Sequence, residues 1–118
     1  MTGDEKSGIR AQVLLWTAQR ASAAVLAVCV LIHLVTIIYA VRNGLSAAEI
    51  LGRTRGNVAW AAFYALFVAA VAVHAPIGLR NMLAETFGWR GRGLNILVMV
   101  VALTLLMWGF RAVFAVFI

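Results

Sequence analysis

Three long runs of apolar residues, separated by short polar segments, set the pattern of this chain. The runs cover about residues 13–41, 58–79 and 94–118. A helix needs about 20 residues to cross the hydrocarbon core of a bilayer, and each run is at least that long. The pattern therefore predicts an all-α integral membrane protein with three transmembrane helices in a single domain over residues 1–118.

The polar segments between the runs predict connectors at the membrane surface. Residues 42–57 include glycines, three arginines and Ser46, which is followed three residues later by Glu49. This spacing is typical of a capping box, so we expect one short interfacial helix within this connector. Residues 80–95 form a second basic connector that contains glycines. The polar residues 1–12 precede a run that is longer than the core of a signal peptide and has no cleavage-like ending, so this run is expected to remain as a helix.

Composition and charge agree with a membrane protein. Of the 118 residues, 64% are hydrophobic and 12% are charged, and the net charge is +6. A soluble domain of this size could not bury so much apolar surface. The basic residues lie at the ends of the apolar runs, where they anchor helices at lipid headgroups, so no nucleic-acid partner is expected. The single cysteine, Cys29, has no disulfide partner and is expected to pack within the first run.

With three spans, the two termini lie on opposite sides of the membrane. The side that carries the N-terminus and the second connector collects six basic residues, against four on the other side. The six are Lys6, Arg10, Arg20, Arg80, Arg90 and Arg92, and the four are Arg42, Arg53, Arg55 and Arg111. Because positive charge accumulates on the cytoplasmic side, the N-terminus is predicted to be cytoplasmic.

Two histidines, His33 and His74, lie inside separate apolar runs. An ionisable side chain in a membrane interior points to a functional site, and a neutral imidazole is a common axial ligand of haem iron. Ala70 and Gly78 lie one turn to either side of His74, which predicts a shallow groove where a porphyrin reaches the imidazole. The turns that precede His33 on its face carry Ser22, Leu26 and Cys29. The alternative for both histidines is a hydrogen bond between helices that only supports packing.

The two histidines are predicted to lie at different depths. His33 is thirteen residues beyond Arg20, or about 20 Å along the first helix, whereas His74 precedes Arg80 by six residues, or about 9 Å. Two sites, or one site and one packing histidine, are therefore favoured over one cofactor held by both. A zinc site lacks the three or four converging ligands it needs, and no carboxylate in the spans could orient a histidine for nucleophilic catalysis.

Arg20 lies about one turn inside the first span, and Trp16, Gln19 and Ser22 would share its interface. Its guanidinium could extend to the lipid headgroups, as an arginine near a helix end often does. It could also donate hydrogen bonds to a haem propionate or to a quinone carbonyl, because a planar fork of donors suits both. The residues alone leave both interpretations open.

Two segments resemble a known family. The segment WTAQRASAAVL, at 16–26, opens the first span, and HAPIGLRNMLAETFG, at 74–88, closes the second. Together they resemble the small membrane-anchor subunits of succinate dehydrogenase and fumarate reductase, in which an Arg and a small or hydroxyl residue open the first helix. In the same subunits a His followed four residues later by Gly closes the second helix. The resemblance covers most of the chain, and three helices are also the arrangement of that family.

The resemblance implies a cytochrome b type anchor that binds haem b and helps to form a ubiquinone or menaquinone site. Its expected partners are an iron–sulfur subunit, a flavoprotein subunit that carries out the dicarboxylate chemistry, and a second anchor. That second anchor, a different chain or a second copy, would complete a larger helical bundle and supply further axial ligands. A bacterial-type cytoplasmic membrane is the expected location, with lipid around the bundle.

The resemblance also implies roles for single residues. His74 would match the axial haem ligand of the second helix, and Arg20 the arginine near the propionates and the quinone. Ser22 stands near the family's hydroxyl position, although offset. The candidates for cofactor binding are Trp16, Arg20, Ser22, Arg80 and Glu85, and those for metal ligation are His74 and His33. Arg80 would match the basic residue after the haem helix, and Glu85 falls where relatives often carry Asp.

Two positions depart from the family pattern, and one adds to it. Gln19 stands where one anchor type usually has His, and Thr86 stands where the other type usually has Tyr. The chain thus mixes features of both anchor types. His33 matches the first-helix histidine of members with two haems, so the resemblance leaves one or two haems open.

Two other classes of function remain open. The first is a cytochrome b type anchor of another membrane dehydrogenase or of a hydrogenase, which would contain haem that succinate does not reduce. The second is a structural or assembly membrane protein whose histidines only pack, and which would purify without colour.

Overall fold

The computed structural model describes residues 2–118 and contains four helices in that range, α1 over Gly3–Arg42, α2 over Ala47–Thr54, α3 over Val58–Phe87 and α4 over Arg92–Phe117. The long helices α1, α3 and α4 are each long and apolar enough to cross a membrane. The predicted class, an all-helical membrane protein with three spanning helices, is confirmed. Helices satisfy their backbone hydrogen bonds internally, which is what a bilayer interior requires of a spanning segment.

Helix α1 begins earlier than the first apolar run. Thr2 caps it by accepting from the Glu5 backbone N–H, and the Glu5 carboxylate accepts from the Thr2 backbone N–H at 2.9 Å. The helix has 40 residues, or about 60 Å, which is about twice the thickness of the hydrocarbon core. Its polar first turns therefore continue beyond the bilayer as helix.

The first connector folds as the capping box predicts. Ser46 Oγ accepts from the Glu49 backbone N–H, and the Glu49 carboxylate accepts from the Ser46 backbone N–H at 2.7 Å, which starts α2. Asn57 then caps α3 through its side-chain oxygen. The Gly56 N–H donates to the Phe117 carbonyl at 2.8 Å, so this connector is held to the end of α4.

The predicted length of the second connector, residues 80–95, is wrong. Helix α3 continues through this region to Phe87 and stops at Gly88, whose φ of 64° is left-handed and favours glycine. Helix α4 begins at Arg92, so only residues 88–91 lie outside helices. Arg80 and Arg92 thus lie on helices, and Arg90 lies in the short loop between them.

Helix α3 lies between α1 and α4 and packs against both. Small residues form the contacts: Ser22 and Cys29 on α1 and Ala70, Ala72 and Pro76 on α3 are buried. The expected packing role of Cys29 is confirmed, since it is free and 2% exposed. Most large apolar side chains point outward. This outward apolar surface is the one expected of a protein that faces lipid and other membrane subunits.

Candidate functional site

The hydroxyl of Ser22 lies against His74 between α1 and α3. Its Oγ is 3.3 Å from His74 Nδ1, and Ser22 is only 7% exposed. The same hydroxyl donates to the Gln19 carbonyl at 3.1 Å, one turn earlier on α1. Because the Ser22 proton is directed to that carbonyl, Oγ is left to accept a hydrogen bond from His74 Nδ1–H.

This contact favours one nitrogen of His74 as the atom that can bind a metal. With Nδ1 protonated and bonded to Ser22, the lone pair of the ring lies on Nε2. Nε2 makes no hydrogen bond with any part of residues 2–118, and it is accessible from the surface. A histidine ligand in proteins commonly has this arrangement, in which the second ring nitrogen donates to a fixed acceptor.

The shallow groove predicted beside His74 is filled by α1. A Cβ added at Gly78 would lie 3.3 Å from Gln19 Nε2, and Ala70 is buried. The two small residues therefore let α1 approach α3, which is the ordinary use of small residues between membrane helices. Gln19 lies against Gly78 and Ser22 lies against His74, so a porphyrin would have to approach the His74 ring from another side.

Three predicted binding residues come together in a cleft between α1 and α3, which we call the arginine cleft. Its volume is about 190 Å³, and it is lined by Gln12, Leu15, Trp16, Gln19, Arg20, Arg80 and Asn81. The Arg20 guanidinium lies 5.4 Å from the centre of the Trp16 ring, a cation–π distance. Two guanidinium groups and three side-chain amides thus surround one small space.

Gln19 adds an unused acceptor to this cleft. Its side-chain oxygen Oε1 is buried and has no hydrogen-bond partner among the described residues. A buried polar atom without a hydrogen-bond partner lowers stability, so Oε1 is expected to accept a hydrogen bond from a ligand or a water molecule. Gln19 was expected from the sequence to share the interface of Arg20 and to depart from the family pattern, but its burial could not be read from spacing.

The remaining predicted residues lie outside the arginine cleft. Ser22 is one turn deeper than the cleft and contacts His74. Glu85 is exposed on the last turns of α3 and does not line the cleft. Arg80 also donates through Nε to Asn95 Oδ1 at 3.5 Å, which links α3 to the first turn of α4.

His33 lies between α1 and α3, at a different depth from His74. Its Nδ1 is 3.4 Å from the Tyr64 hydroxyl, and its ring meets Tyr64 and Phe67 edge-on. Tyr64 precedes His74 by ten residues on α3, so the histidines are separated by about 15 Å along the bundle. The prediction that they occupy different depths is confirmed.

Tyr64 is the contact that the sequence interpretation missed. It belongs to an aromatic cluster in which Trp60, Tyr64 and Phe67 recur at the spacing of one helix face, and Phe63 packs beside them. That spacing was available in the sequence as a signal for an aromatic stripe on the second span. The partner of the stripe, His33, depends on how α1 and α3 align.

No group of three or more His, Cys, Asp or Glu side chains gathers anywhere between residues 2 and 118. Each histidine could therefore act only as a single ligand, with the other ligands of its metal supplied from outside this chain or by a cofactor. This donor set differs from that of a zinc site, which needs three or four protein ligands.

Comparison with protein families gives one match, and it covers most of the chain. Residues 5–110 match the model of the succinate dehydrogenase/fumarate reductase transmembrane subunit. No curated protein and no solved structure gives a significant match. With three apolar helices in the structure and nearly the whole sequence matched, the chain belongs to the succinate dehydrogenase/fumarate reductase transmembrane subunit family and is a multi-pass membrane subunit of such a complex.

Proposed function

We propose that this subunit binds haem b through His74 and helps to form a quinone site in the arginine cleft. In this role it would connect the iron–sulfur subunit of a succinate:quinone or quinol:fumarate oxidoreductase to the quinone pool. The dicarboxylate chemistry would take place in the flavoprotein subunit, so this chain would not itself be the catalyst. A second anchor would supply the other axial ligand of the haem.

The observation that carries the haem assignment is the contact between Ser22 Oγ and His74 Nδ1. It favours the tautomer with the lone pair on Nε2, and it holds the ring at a fixed angle. An imidazole whose Nδ1–H has an acceptor is a stronger electron donor to a metal. Packing alone would not require the second nitrogen to stay free of hydrogen bonds.

The charged residues near His74 also suit a haem. A haem carries two propionates, and Arg20 and Arg80 both line the arginine cleft. Arg80 follows His74 by six residues, or about 9 Å along α3. A guanidinium pairs well with a carboxylate, because its donors form a planar fork. When bound, the haem supplies a one-electron carrier in a site of low dielectric.

The arginine cleft has the donors that a quinone ring needs. The guanidinium of Arg20 can donate to a quinone carbonyl oxygen, and Trp16 offers an aromatic face beside it. Gln19 and Asn81 can each donate and accept. The cleft lies at the end of the bundle where α1 begins, which the charge distribution predicts to be cytoplasmic. On that side the quinone would be next to the iron–sulfur subunit.

The test is an optical spectrum of the detergent-purified complex, reduced first with dithionite and separately with succinate. We expect a b-type haem band, and loss of the haem bound by His74 in His74→Ala. His33→Phe is the matched control, because it removes the other intramembrane histidine and keeps an aromatic ring beside Tyr64 and Phe67.

Several outcomes would contradict the proposal. An unchanged haem content in His74→Ala would refute this ligand, and a colourless complex would favour a structural or assembly role. Haem that dithionite reduces and succinate does not would favour another dehydrogenase or a hydrogenase. The second haem that His33 would bind stays a prediction, and a second haem equivalent that disappears in His33→Phe would establish it.

A further inference from the structure

A second open space lies at the other end of the bundle, far from the arginine cleft. It is a groove between α1 and α3, beneath α2, with a volume of about 690 Å³. We call it the α2 groove. Its deep end is lined by His33, Thr36 and Tyr64, and its mouth by Tyr39, Arg53 and Asn57. Along α1 from Ala40 to His33 it extends over seven residues, or about 10 Å.

The groove is polar at one end and apolar along its length. The mouth lies where α1 ends and α3 begins, next to the interfacial helix α2, so it is at the level of the lipid headgroups. At the deep end the polar atoms of His33, Thr36 and Tyr64 are engaged with one another or with the α1 backbone, and the side chains between the deep end and the mouth are mostly apolar. This polarity runs in the same direction as that of a phospholipid in the surrounding leaflet.

The charge at the mouth is a single guanidinium. Arg53 is the only Lys or Arg that lines the groove, and no Asp or Glu of the described chain lines it. The guanidinium lies 5.6 Å from the centre of the Tyr39 ring, which holds it at the mouth. Glu49, one turn earlier on α2, is near enough for its charge to interact with that of Arg53, and its Oε2 accepts hydrogen bonds from the backbone N–H and the hydroxyl of Ser46 at 2.7 and 2.8 Å.

We propose that the α2 groove binds an anionic phospholipid, with its phosphate on Arg53 and an acyl chain extending toward Thr36 and Tyr64. One phosphate charge matches one guanidinium, and the planar fork of Arg suits phosphate oxygens. A haem in this groove would bring two propionates to a single arginine. The paired arginines that suit two propionates are in the arginine cleft at the opposite end.

The experiment uses the purified complex, reconstituted in phosphatidylcholine with a minor share of phosphatidylglycerol. Native mass spectrometry then counts the lipid of each kind that stays bound. We expect preferential retention of phosphatidylglycerol in the wild type. Arg53→Gln should reduce that preference about fivefold, the ratio that corresponds to the loss of one basic contact with an anionic headgroup.

Two further variants make the test specific. Arg55→Gln removes an equal charge two residues away, outside the groove lining, and should keep the preference. Ala40→Phe leaves Arg53 in place and fills the groove, because Ala40 lines its wall. It should therefore lose the bound phosphatidylglycerol. Both variants are compared at equal yield of the assembled complex.

Other results would overturn the proposal. Equal retention of the two lipids by the wild type would mean that the groove has no headgroup preference. An equal loss in Arg55→Gln would indicate diffuse surface charge rather than a site. A second haem that is lost in His33→Phe would place haem beside the groove in the position assigned to the acyl chain.

Discussion

Replacing Ser22 by Ala removes the hydroxyl that faces His74 and changes little else. Ser22 is 7% exposed, so water cannot readily take the place of the hydroxyl, and His74 Nδ1–H would be left without an acceptor. An unpaired buried donor costs about 1–3 kcal/mol. Loss of such a partner typically weakens metal binding about 10–100-fold, which corresponds to about 1.4–2.8 kcal/mol.

The geometry places the expected effect near the lower end of that range. The Oγ to Nδ1 distance of 3.3 Å exceeds the usual 2.9–3.0 Å of an N–H···O bond, and His74 is only half-buried. We therefore expect Ser22→Ala to lower the affinity for haem about tenfold. The midpoint potential of the haem should rise. An imidazole without an acceptor on Nδ1–H donates less electron density to the iron and therefore stabilises the ferric state less.

The assay combines haem retained per complex with an optical redox titration of the purified complex. Ser7→Ala is the matched control, because Ser7 Oγ also donates to a carbonyl three residues earlier on α1, at 2.8 Å, but is exposed and far from His74. A potential and a haem content equal to wild type in Ser22→Ala would refute the role of the contact. A change of the same size in Ser7→Ala would show that any serine loss on α1 has this effect.

Two further predictions concern the packing of α3 on α4 and the cap of α2. A Cβ added at Gly109 would lie 2.5 Å from Val68 Cγ1, so Gly109→Ala should destabilise the subunit by about 1–3 kcal/mol, measured by thermal unfolding in detergent. Val68→Ala should restore stability when it is combined with Gly109→Ala. Gly93→Ala, whose added Cβ would lie 3.6 Å from its nearest neighbour, should not destabilise the subunit. If Val68→Ala did not restore stability, the predicted clash would be contradicted. Hydrogen bonds from the Ser46 backbone and hydroxyl hold the pKa of Glu49 below its ordinary value. The cap therefore contributes its full stability at a pH above the ordinary pKa, and this contribution is lost as the pH falls through the lowered pKa. Amide exchange at the start of α2, corrected for the intrinsic pH effect, should accelerate in that acidic range and not in Glu49→Gln, which keeps the cap without titrating; identical profiles would contradict this.

The sequence predicted those parts of the fold that depend on local pattern. The apolar runs predicted three spanning helices, and Ser46 with Glu49 predicted α2, because both signals lie within a few turns of one helix. The same capping spacing at Thr2 and Glu5 was present and not used, so the start of α1 at Gly3 was missed. The end of α3 was placed too early because polar side chains were taken as loop, although only Gly88 stops the helix.

The contacts between helices could not be predicted in the same way, because they depend on one number that no local pattern contains, the register of α1 against α3. Three contacts share a single antiparallel register: Gln19 with Gly78, Ser22 with His74, and His33 with Tyr64. From Ser22 to His33 there are eleven residues on α1, and from His74 back to Tyr64 there are ten on α3. Any one of these pairs, once known, fixes the others to within a residue. The contact of His33 with Tyr64 therefore follows from the packing that places Ser22 against His74, and it does not require a second functional site.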